Sequence, residues 1–247
     1  MEGTYWTHDK PHLPVTELRK PFQPIDGDAF KDAATARATI AASREHPNGT
    51  TEGGYAARHQ HRTVMQQHCD YWDKDGDGII WPQDTYRGCR NFGYNRFLAL
   101  LATYIINFDL SYPTVPGWLP DPFFRIYLDK IYKDKHGSDT MTYDSEGRFR
   151  PQQFEDIFAK YDRGDKGGLT FGDVLCMWSG QKMVFDFFGW SATFLEWLAT
   201  YRLLWPDDGI MRKDDVRGIY DGSIFYKKEA EHQRKKELKK QRLVKRM

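Results

Sequence analysis

Three aspartates at alternate positions, Asp73, Asp75 and Asp77, are the residues whose types and spacing most clearly specify chemistry. Carboxylates at alternate positions can share one hard cation as oxygen ligands. The glycine that follows them, here Gly78, lets the chain turn sharply around that cation. The string DKDGDGIIWPQD has the spacing of the calcium loop of an EF-hand. The competing interpretation is a surface Asp/Gly turn that holds no ion. The predicted calcium ligands are Asp73, Asp75, Asp77, the backbone carbonyl of Ile79, and Asp84.

The last position of this loop departs from the template. Asp84 stands where the EF-hand pattern has a glutamate that binds calcium with both oxygens, and the shorter side chain reaches less far. Trp81 offers no group that holds a bridging water. We therefore expect weaker calcium binding, or tolerance of magnesium, whose shell is smaller. Sub-micromolar calcium affinity with strong rejection of magnesium, measured by calorimetry, would contradict this hypothesis.

EF-hand loops usually occur in pairs, and three further segments keep part of the loop pattern. Segment 162–173 has an acid at each end, but Gly164 and Lys166 occupy two ligand positions and Lys166 adds a positive charge. Segments 142–153 and 206–215 are weaker remnants of the same pattern. All three are predicted to be degenerate partner loops that keep the turn and hold no ion.

Helical periodicity dominates from Ala56 onward, and no alternating strand pattern exceeds a few residues. The predicted fold is therefore mainly α, an EF-hand-like helical scaffold with one good calcium loop and degenerate partner loops. The predicted regions are a Pro/Gly-rich N-terminal arm (1–55), an EF-hand (56–96), an apolar anchor (97–124), a helical region with the degenerate loops (125–226) and a basic tail (227–247).

The segment 97–124 combines an apolar run with a cluster of prolines. The run FLALLATYIINF ends at Asp109, which makes it shorter than the roughly 20 apolar residues that span a bilayer. Four prolines within the following string SYPTVPGWLPDPFF force a turn, and its aromatic residues are of the kind found at lipid headgroups. An apolar helix, a proline turn and a returning helix from Phe123 predict a monotopic insertion. The alternative is an internal core helix with a rigid loop.

Charge is unevenly distributed along the chain. The 36 Lys and Arg residues nearly balance 35 Asp and Glu, yet the tail from Lys227 holds ten basic and three acidic residues. Such a tail suits an anionic membrane surface, and without interleaved aromatics it gives no support for nucleic-acid binding. Three cysteines make no disulfide framework, which indicates a reducing compartment. A mean hydropathy of −0.73 excludes a polytopic membrane protein.

One calcium loop, then an apolar segment, then a proline cluster, in this order, resembles the caleosins. The strings QQHCDYWDKDGDGIIWPQDTY, SYPTVPGWLPDPFF and DFFGWSATFLEW look like blocks of that family, and the resemblance runs from Arg62 to Lys228. It implies a calcium-binding peroxygenase of lipid droplets and of the cytosolic face of the endoplasmic reticulum membrane. A soluble pool and a homo-oligomer are compatible with the sequence.

The resemblance also implies haem b as a cofactor, held by two histidines that match His68 and His136. Enzymes of this kind use fatty-acid or other organic hydroperoxides to hydroxylate, epoxidise or sulfoxidise lipid-like acceptors, notably unsaturated fatty acids. His68 lies on the apolar stripe of the helix that enters the calcium loop, where a neutral imidazole is a good axial ligand. We expect His68 to be proximal, with His136 as a displaceable ligand or as the acid–base group.

Two other classes of function remain open at this stage. The first is a non-catalytic calcium-binding surface protein of lipid droplets, with the same scaffold and anchor. The second is a soluble EF-hand sensor that exposes a groove to partner helices. The proline cluster argues against the sensor, and the presence of both His68 and His136 favours the enzyme over the surface protein.

Overall fold

The computed structural model describes residues 35–245, and residues 1–34 of the predicted arm lie outside them. Most of the described chain is helical, which confirms the predicted mainly α class. The α-helices are α1 (Tyr55–Arg58), α2 (Val64–Asp70), α3 (Pro82–Asn91), α4 (Arg96–Thr114), α5 (Pro151–Tyr161), α6 (Phe171–Gly180), α7 (Phe187–Leu204), α8 (Lys213–Asp221) and α9 (Ser223–Val244). The strands are β1 (Ile79–Ile80), β2 (Ile126–Tyr127), β3 (Gly168–Thr170) and β4 (Ile210–Arg212), and 3-10 helices cover Glu52–Gly54 and Leu128–Asp134.

Side chains at the helix ends explain where several elements begin and stop. Thr63 caps α2 by accepting the amide of Gln66, and Asn95 caps α4. Pro82 starts α3 at a position where a missing amide costs no hydrogen bond. Gly222 ends α8 with a φ of 79°, a left-handed conformation that glycine adopts without strain.

Two short antiparallel ladders organise the helices into two pairs of helix–loop–helix units. Ile80 of β1 pairs with Ile126 of β2, so the acidic loop between α2 and α3 lies against the proline-rich loop between α4 and the second 3-10 helix. Leu169 of β3 pairs with Met211 of β4 in the same way. All four central side chains are buried. Each ladder therefore joins two loops and closes one half of the core.

The ladders correct the expected partners of the acidic loop. Segment 162–173 pairs with segment 206–215, and the partner strand of loop 73–84 comes from residues 126–127. Segment 142–153 is not a helix–loop–helix loop, because the residues before it are not helical and it folds back as a bridge between Tyr143 and Phe149. The sequence missed the true partner because the proline-rich loop lacks the alternating acids of a cation site.

Helix α4 buries a polar face and exposes an apolar one. Asn107 and Ser111 donate to the backbone carbonyls of residues 124–125, at 2.9 and 2.8 Å. Thr114 Oγ1 accepts the amide of Tyr127 at 3.2 Å. These bonds hold the segment after the proline turn against the helix. The exposed large side chains of α4 are Phe97, Leu100, Leu101, Tyr104, Phe108 and Tyr112.

The predicted anchor 97–124 differs from its expected form in two respects. Helix α4 continues past Asp109 through Pro113, and the expected returning helix from Phe123 is wrong, since a turn, β2 and a 3-10 helix occupy that stretch. No helix among residues 35–245 is long and apolar enough to cross a membrane.

Both ends of the described chain pack onto the body. In the described part of segment 1–55, Ala41 and Ala42 are buried, and Thr50 Oγ1 donates to Asp221 at 2.5 Å. In the predicted tail 227–247, helix α9 continues to Val244, and the hydroxyl of Tyr71 donates to Glu229 at 2.9 Å. The first turns of α9 therefore belong to the folded core.

Candidate functional site

His68 lies on α2, a little over one turn after the capped start of that helix and five residues before the acidic loop. Its Nδ1 lies 2.6 Å from the carbonyl oxygen of Ile219 on α8, and its ring lies edge-on to Phe225 at 5.2 Å. Burial lowers the pKa of His68, although the Ile219 carbonyl acts in the opposite direction. A neutral ring that donates from Nδ1 keeps the lone pair on Nε2. No residue between 35 and 245 forms a hydrogen bond with that atom.

His136 follows the second 3-10 helix and has both ring nitrogens engaged. Nδ1 lies 2.7 Å from the Gly137 carbonyl, and Nε2 lies 3.2 Å from Oε1 of Glu196 on α7. Burial by itself lowers the pKa of His136, but the hydrogen bond and charge of Glu196 outweigh it and raise that pKa to about 9. His136 is therefore a cation at neutral pH and donates from both nitrogens.

One carboxylate acts on the charge of both histidines. Glu196 hydrogen-bonds to His136, and its negative charge also raises the pKa of His68, though by less than burial lowers it. Asp134, two residues before His136, has two buried oxygen atoms without a hydrogen-bond partner among the described residues. Burial raises the pKa of Asp134 to about 8. The sequence analysis missed Asp134 and Glu196, because neither stands in a motif.

The acidic loop brings three of its predicted ligands together. One carboxylate oxygen each from Asp73, Asp75 and Asp77 lies within 4.8 Å of the others. Oδ2 of Asp73 accepts the amide of Gly78 at 3.1 Å, while Oδ1 is buried without a partner among the described residues. A buried, unpaired carboxylate oxygen beside two exposed carboxylates fits a hard cation such as calcium.

Of the two other predicted ligands, Asp84 is not part of this cluster, and coordination by the backbone carbonyl of Ile79 stays a prediction. Oδ2 of Asp84 accepts the amide of Trp81 at 3.1 Å, and its other oxygen lies 3.5 Å from Arg87. Asp84 therefore stabilises the first turn of α3. Ile79 lies in β1, and its amide donates to Asp77 Oδ1 at 2.8 Å. In this conformation the three aspartates are the side chains that would hold a calcium ion.

Loop 162–173 contains a cation from its own chain. Nζ of Lys166 lies 3.2 Å from Asp162 Oδ1 and 3.3 Å from Asp173 Oδ2, between the first and last acids of the loop. The proline-rich loop contains a similar internal pair, in which Arg125 Nε donates to Asp121 Oδ2 at 2.6 Å. In both loops a side-chain cation neutralises the acid, so neither needs a dissolved ion for charge balance.

The fold and the site define a class of protein. A mainly helical chain with two pairs of loops, each joined by a ladder, carries a carboxylate cluster in one loop. It also carries a neutral buried histidine, His68, on the helix before that loop and a histidine paired with a glutamate, His136. The model of the caleosin family, described as caleosin related protein, matches residues 60–229. The chain belongs to the caleosin family.

Curated relatives match most of the chain. A protein of Lilium longiflorum named "Peroxygenase" is 38% identical over 218 residues, which cover 88% of this chain and 89% of the relative. "Probable peroxygenase 4" of Arabidopsis thaliana is 36% identical over 171 residues, 69% of this chain and 88% of the relative. These relatives confirm the expected enzyme class, a peroxygenase, at this general level.

A further relative carries a name that does not imply activity. The Arabidopsis thaliana protein named "Probable inactive peroxygenase-like protein" is 33% identical over 143 residues, 56% of this chain and 66% of the relative. No solved structure matches the chain.

Proposed function

We propose that this chain is a calcium-binding haem peroxygenase that acts at a lipid surface. It would use fatty-acid or other organic hydroperoxides as oxidants and would hydroxylate, epoxidise or sulfoxidise lipid-like acceptors, notably unsaturated fatty acids. The observation that carries the proposal is the hydrogen-bonding of His68, in a chain whose relatives include proteins named peroxygenases.

His68 fits the role of axial ligand to haem b. Axial and metal-bound imidazoles donate one ring N–H to a carbonyl or carboxylate, which fixes the tautomer and directs the other nitrogen to the metal. Nδ1 of His68 has such a partner in Ile219, and the ring is neutral. Haem, when bound, would supply activation of the hydroperoxide and transfer of its oxygen. We assign His68 as the proximal ligand.

His136 fits the role of proton donor better than that of second ligand. Its two nitrogens are engaged by Gly137 and Glu196, and its raised pKa keeps the ring protonated at neutral pH. Nε2 of His136 holds a proton that it shares with the partly exposed carboxylate of Glu196. That proton is available to the alcohol that leaves when a hydroperoxide is cleaved. Glu196 would orient the ring and take part in returning the proton.

Calcium, held by Asp73, Asp75 and Asp77, would act on the same helix. Helix α2 ends three residues before Asp73, and Arg62, at its other end, forms ion pairs with Asp70 and Asp73 at 3.0 and 3.4 Å. An ordered acidic loop therefore restricts α2 and with it His68. We expect chelation to lower haem occupancy, and unchanged occupancy in excess chelator would argue against the link.

A lipid surface suits the exposed face of α4 and the proline-rich loop. Six large apolar or aromatic side chains of α4 are exposed, and Trp118 at the turn is 96% exposed. Monomeric soluble proteins rarely present contiguous apolar patches of this extent. We propose the lipid-droplet surface and the cytosolic face of the endoplasmic reticulum membrane as the location, with insertion to headgroup depth.

The test is a comparison of histidine variants. His68→Val is expected to lose the Soret band of bound haem and cumene hydroperoxide-driven sulfoxidation, whereas His136→Gln keeps haem and loses turnover. His59→Val is a matched control, because Nδ1 of His59 also contacts a backbone carbonyl, that of Tyr55 at 2.9 Å. Full haem content and full activity in His68→Val would overturn the assignment.

The second candidate function is a non-catalytic calcium-binding surface protein of lipid droplets. The observation that favours it is the inactive peroxygenase-like name of one relative, together with the apolar face of α4. A colourless preparation that binds lipid droplets and cannot be loaded with haem would establish this alternative.

A further inference from the structure

The loop between α6 and α7 exposes a run of apolar side chains far along the chain from the α4 face. Val184, Phe185, Phe187 and Phe188 are between 60% and 82% exposed, and Met183 is half exposed. Phe185 has a φ of 59°, a conformation that costs a bulky residue free energy. These side chains protrude from the surface, with the ring centres of Phe185 and Phe187 6.5 Å apart.

The one acidic residue of this loop is turned away from the apolar side chains. Asp186 accepts the Ser138 hydroxyl at 2.7 Å and the Gly189 amide at 2.9 Å, where it caps the N-terminus of α7. A Cβ atom at Gly137 or Gly189 would lie within 2.4 Å of the Asp186 carboxylate. The two glycines therefore make room for the inward carboxylate. The protruding surface is left without charge.

The apolar surface continues along α7. Phe188, Leu195, Leu198 and the terminal Trp205 recur at helical spacing and are all exposed, while Trp197 on the other side is buried. Helix α7 has 18 residues and is about 27 Å long, so the loop and the helix form one elongated face. We call this the α7 face, defined by residues 183–188, Leu195, Leu198 and Trp205.

Basic and indole groups border this face at both ends. Nζ of Lys182 lies 3.4 Å from the ring centre of Trp178, and the guanidinium carbon of Arg202 lies 4.8 Å from that of Trp205. Indole rings with adjacent cations are typical of segments that lie at the boundary between lipid headgroups and acyl chains, because the cations complement phosphate groups.

We infer that the α7 face is a second lipid-contacting surface, on which the loop 183–188 inserts between phospholipids and α7 lies in the plane of the interface. Protruding apolar side chains suit a deformable apolar medium, and the cations at the border complement the headgroups. Phe188 also lies edge-on to His136, with 6.0 Å between ring centres, so the face adjoins the proposed catalytic histidine. The inference rests on surface chemistry and needs no peroxygenase activity.

The inference is tested by measuring how much of the full chain partitions onto lipid surfaces. The surfaces are phosphatidylcholine vesicles and triolein droplets coated with the same lipid. The double variant Val184→Asp/Phe185→Asp is expected to reduce partition about tenfold or more, since two inserted apolar side chains become charged. Leu238→Asp/Leu243→Asp is the matched control, with the same charge change at two exposed leucines of α9. Its partition should equal that of the unmodified chain.

A fluorescent label on the loop gives an independent measurement of its insertion into lipid. Phe185→Cys in a Cys176→Ser background, where the two remaining native cysteines are buried, should carry an environment-sensitive fluorophore whose emission shifts to the blue with vesicles. Unchanged partition of Val184→Asp/Phe185→Asp, beside a loss in Trp118→Asp/Leu119→Asp, would overturn this inference and leave the α4 face as the lipid contact. The inference would also be overturned if the blue shift appeared without vesicles, in a dimer of the chain that becomes monomeric in Val184→Asp/Phe185→Asp. That result would assign the face to a second copy of the chain.

Discussion

Nδ1 of His68 lies 2.6 Å from the carbonyl oxygen of Ile219, a residue 151 positions further along the chain. The contact joins α2, which leads into the acidic loop, to α8, which follows the last loop of the C-terminal pair. The orientation of the imidazole therefore depends on the docking of the two loop pairs. Gly222, at the end of α8, lies directly against the backbone of Gln67 and His68.

Gly222→Ala should destabilise the fold and displace His68. The new Cβ atom would lie 2.6 Å from the Gln67 carbonyl and 2.9 Å from the His68 Cα, both backbone atoms that cannot rotate away. Positive φ costs an alanine about 1 kcal/mol, and the overlap adds about 1–3 kcal/mol. Chemical denaturation measures the loss, and haem titration measures the displacement.

Gly164→Ala is the control for that experiment. Gly164 has a φ of 88°, but a Cβ atom there would meet nothing within 4 Å. It should therefore lose only the conformational part, about 1 kcal/mol. Equal destabilisation by the two variants would show that the close approach at Gly222 contributes nothing.

Asp73→Asn should abolish calcium binding, whereas Asp84→Glu should strengthen it. Asp73 supplies the buried unpaired oxygen of the cluster, and a longer acid at position 84 can reach the ion in a way that the aspartate does not. Calorimetry should show no calcium heat for Asp73→Asn and at least a fivefold gain, as an order of magnitude, for Asp84→Glu. Asp144→Asn, in a turn outside the cluster, should behave as the unmodified chain does.

His136 should stay protonated well above neutral pH. Its pKa of about 9 lies above the ordinary value of 6.5, so its protonation stabilises the fold fully below about pH 6.5, and this contribution is lost as the pH rises through about 9. Nuclear magnetic resonance titration of the imidazole gives the midpoint. Glu196→Gln should lower it by a unit or more as an order of magnitude; an unchanged midpoint would exclude Glu196 as the cause.

Lys166→Gln should destabilise the C-terminal loop pair. Without the ammonium group, Asp162 and Asp173 lose their shared partner, and the pKa of Asp173, which hydrogen bonds from Thr170 and the charge of Lys166 hold low against burial, should rise. We expect the unfolding midpoint to fall by a few degrees at neutral pH and by less near pH 4. Lys160→Gln, at a partly exposed position of α5, should lower the midpoint by less.

The sequence alone predicts the features that depend on residues close together in the chain. The acidic loop follows from five neighbouring positions, and Asp73, Asp75 and Asp77 lie together in the structure as their alternation requires. The loss of ligands in 162–173 likewise follows from Lys166. Helical class follows from periodicity over windows of a dozen residues.

Features that depend on tertiary packing could not be predicted in this way. The strand that pairs with β1 belongs to a proline-rich loop without ligands, so nothing local marks it as a partner. Helix α4 passes Asp109 because polar residues further along, Ser111 and Thr114, satisfy the backbone of the segment after the turn. Glu196 acts on histidines 60 or more positions away, which only the fold brings near.

The ammonium group of Lys166 gives the two halves of the molecule different dependence on their surroundings. A cation that is covalently part of the loop has a fixed effective concentration beside Asp162 and Asp173, whatever the ionic composition of the medium. In the other half, Asp73 pairs with Arg62 at 3.4 Å, but its buried Oδ1 has no partner among the described residues, so a calcium ion bound there, as proposed, would come from solution. On this proposal the half with Lys166 keeps its charge balance in any medium, whereas the order of the half that carries His68 would follow the calcium concentration.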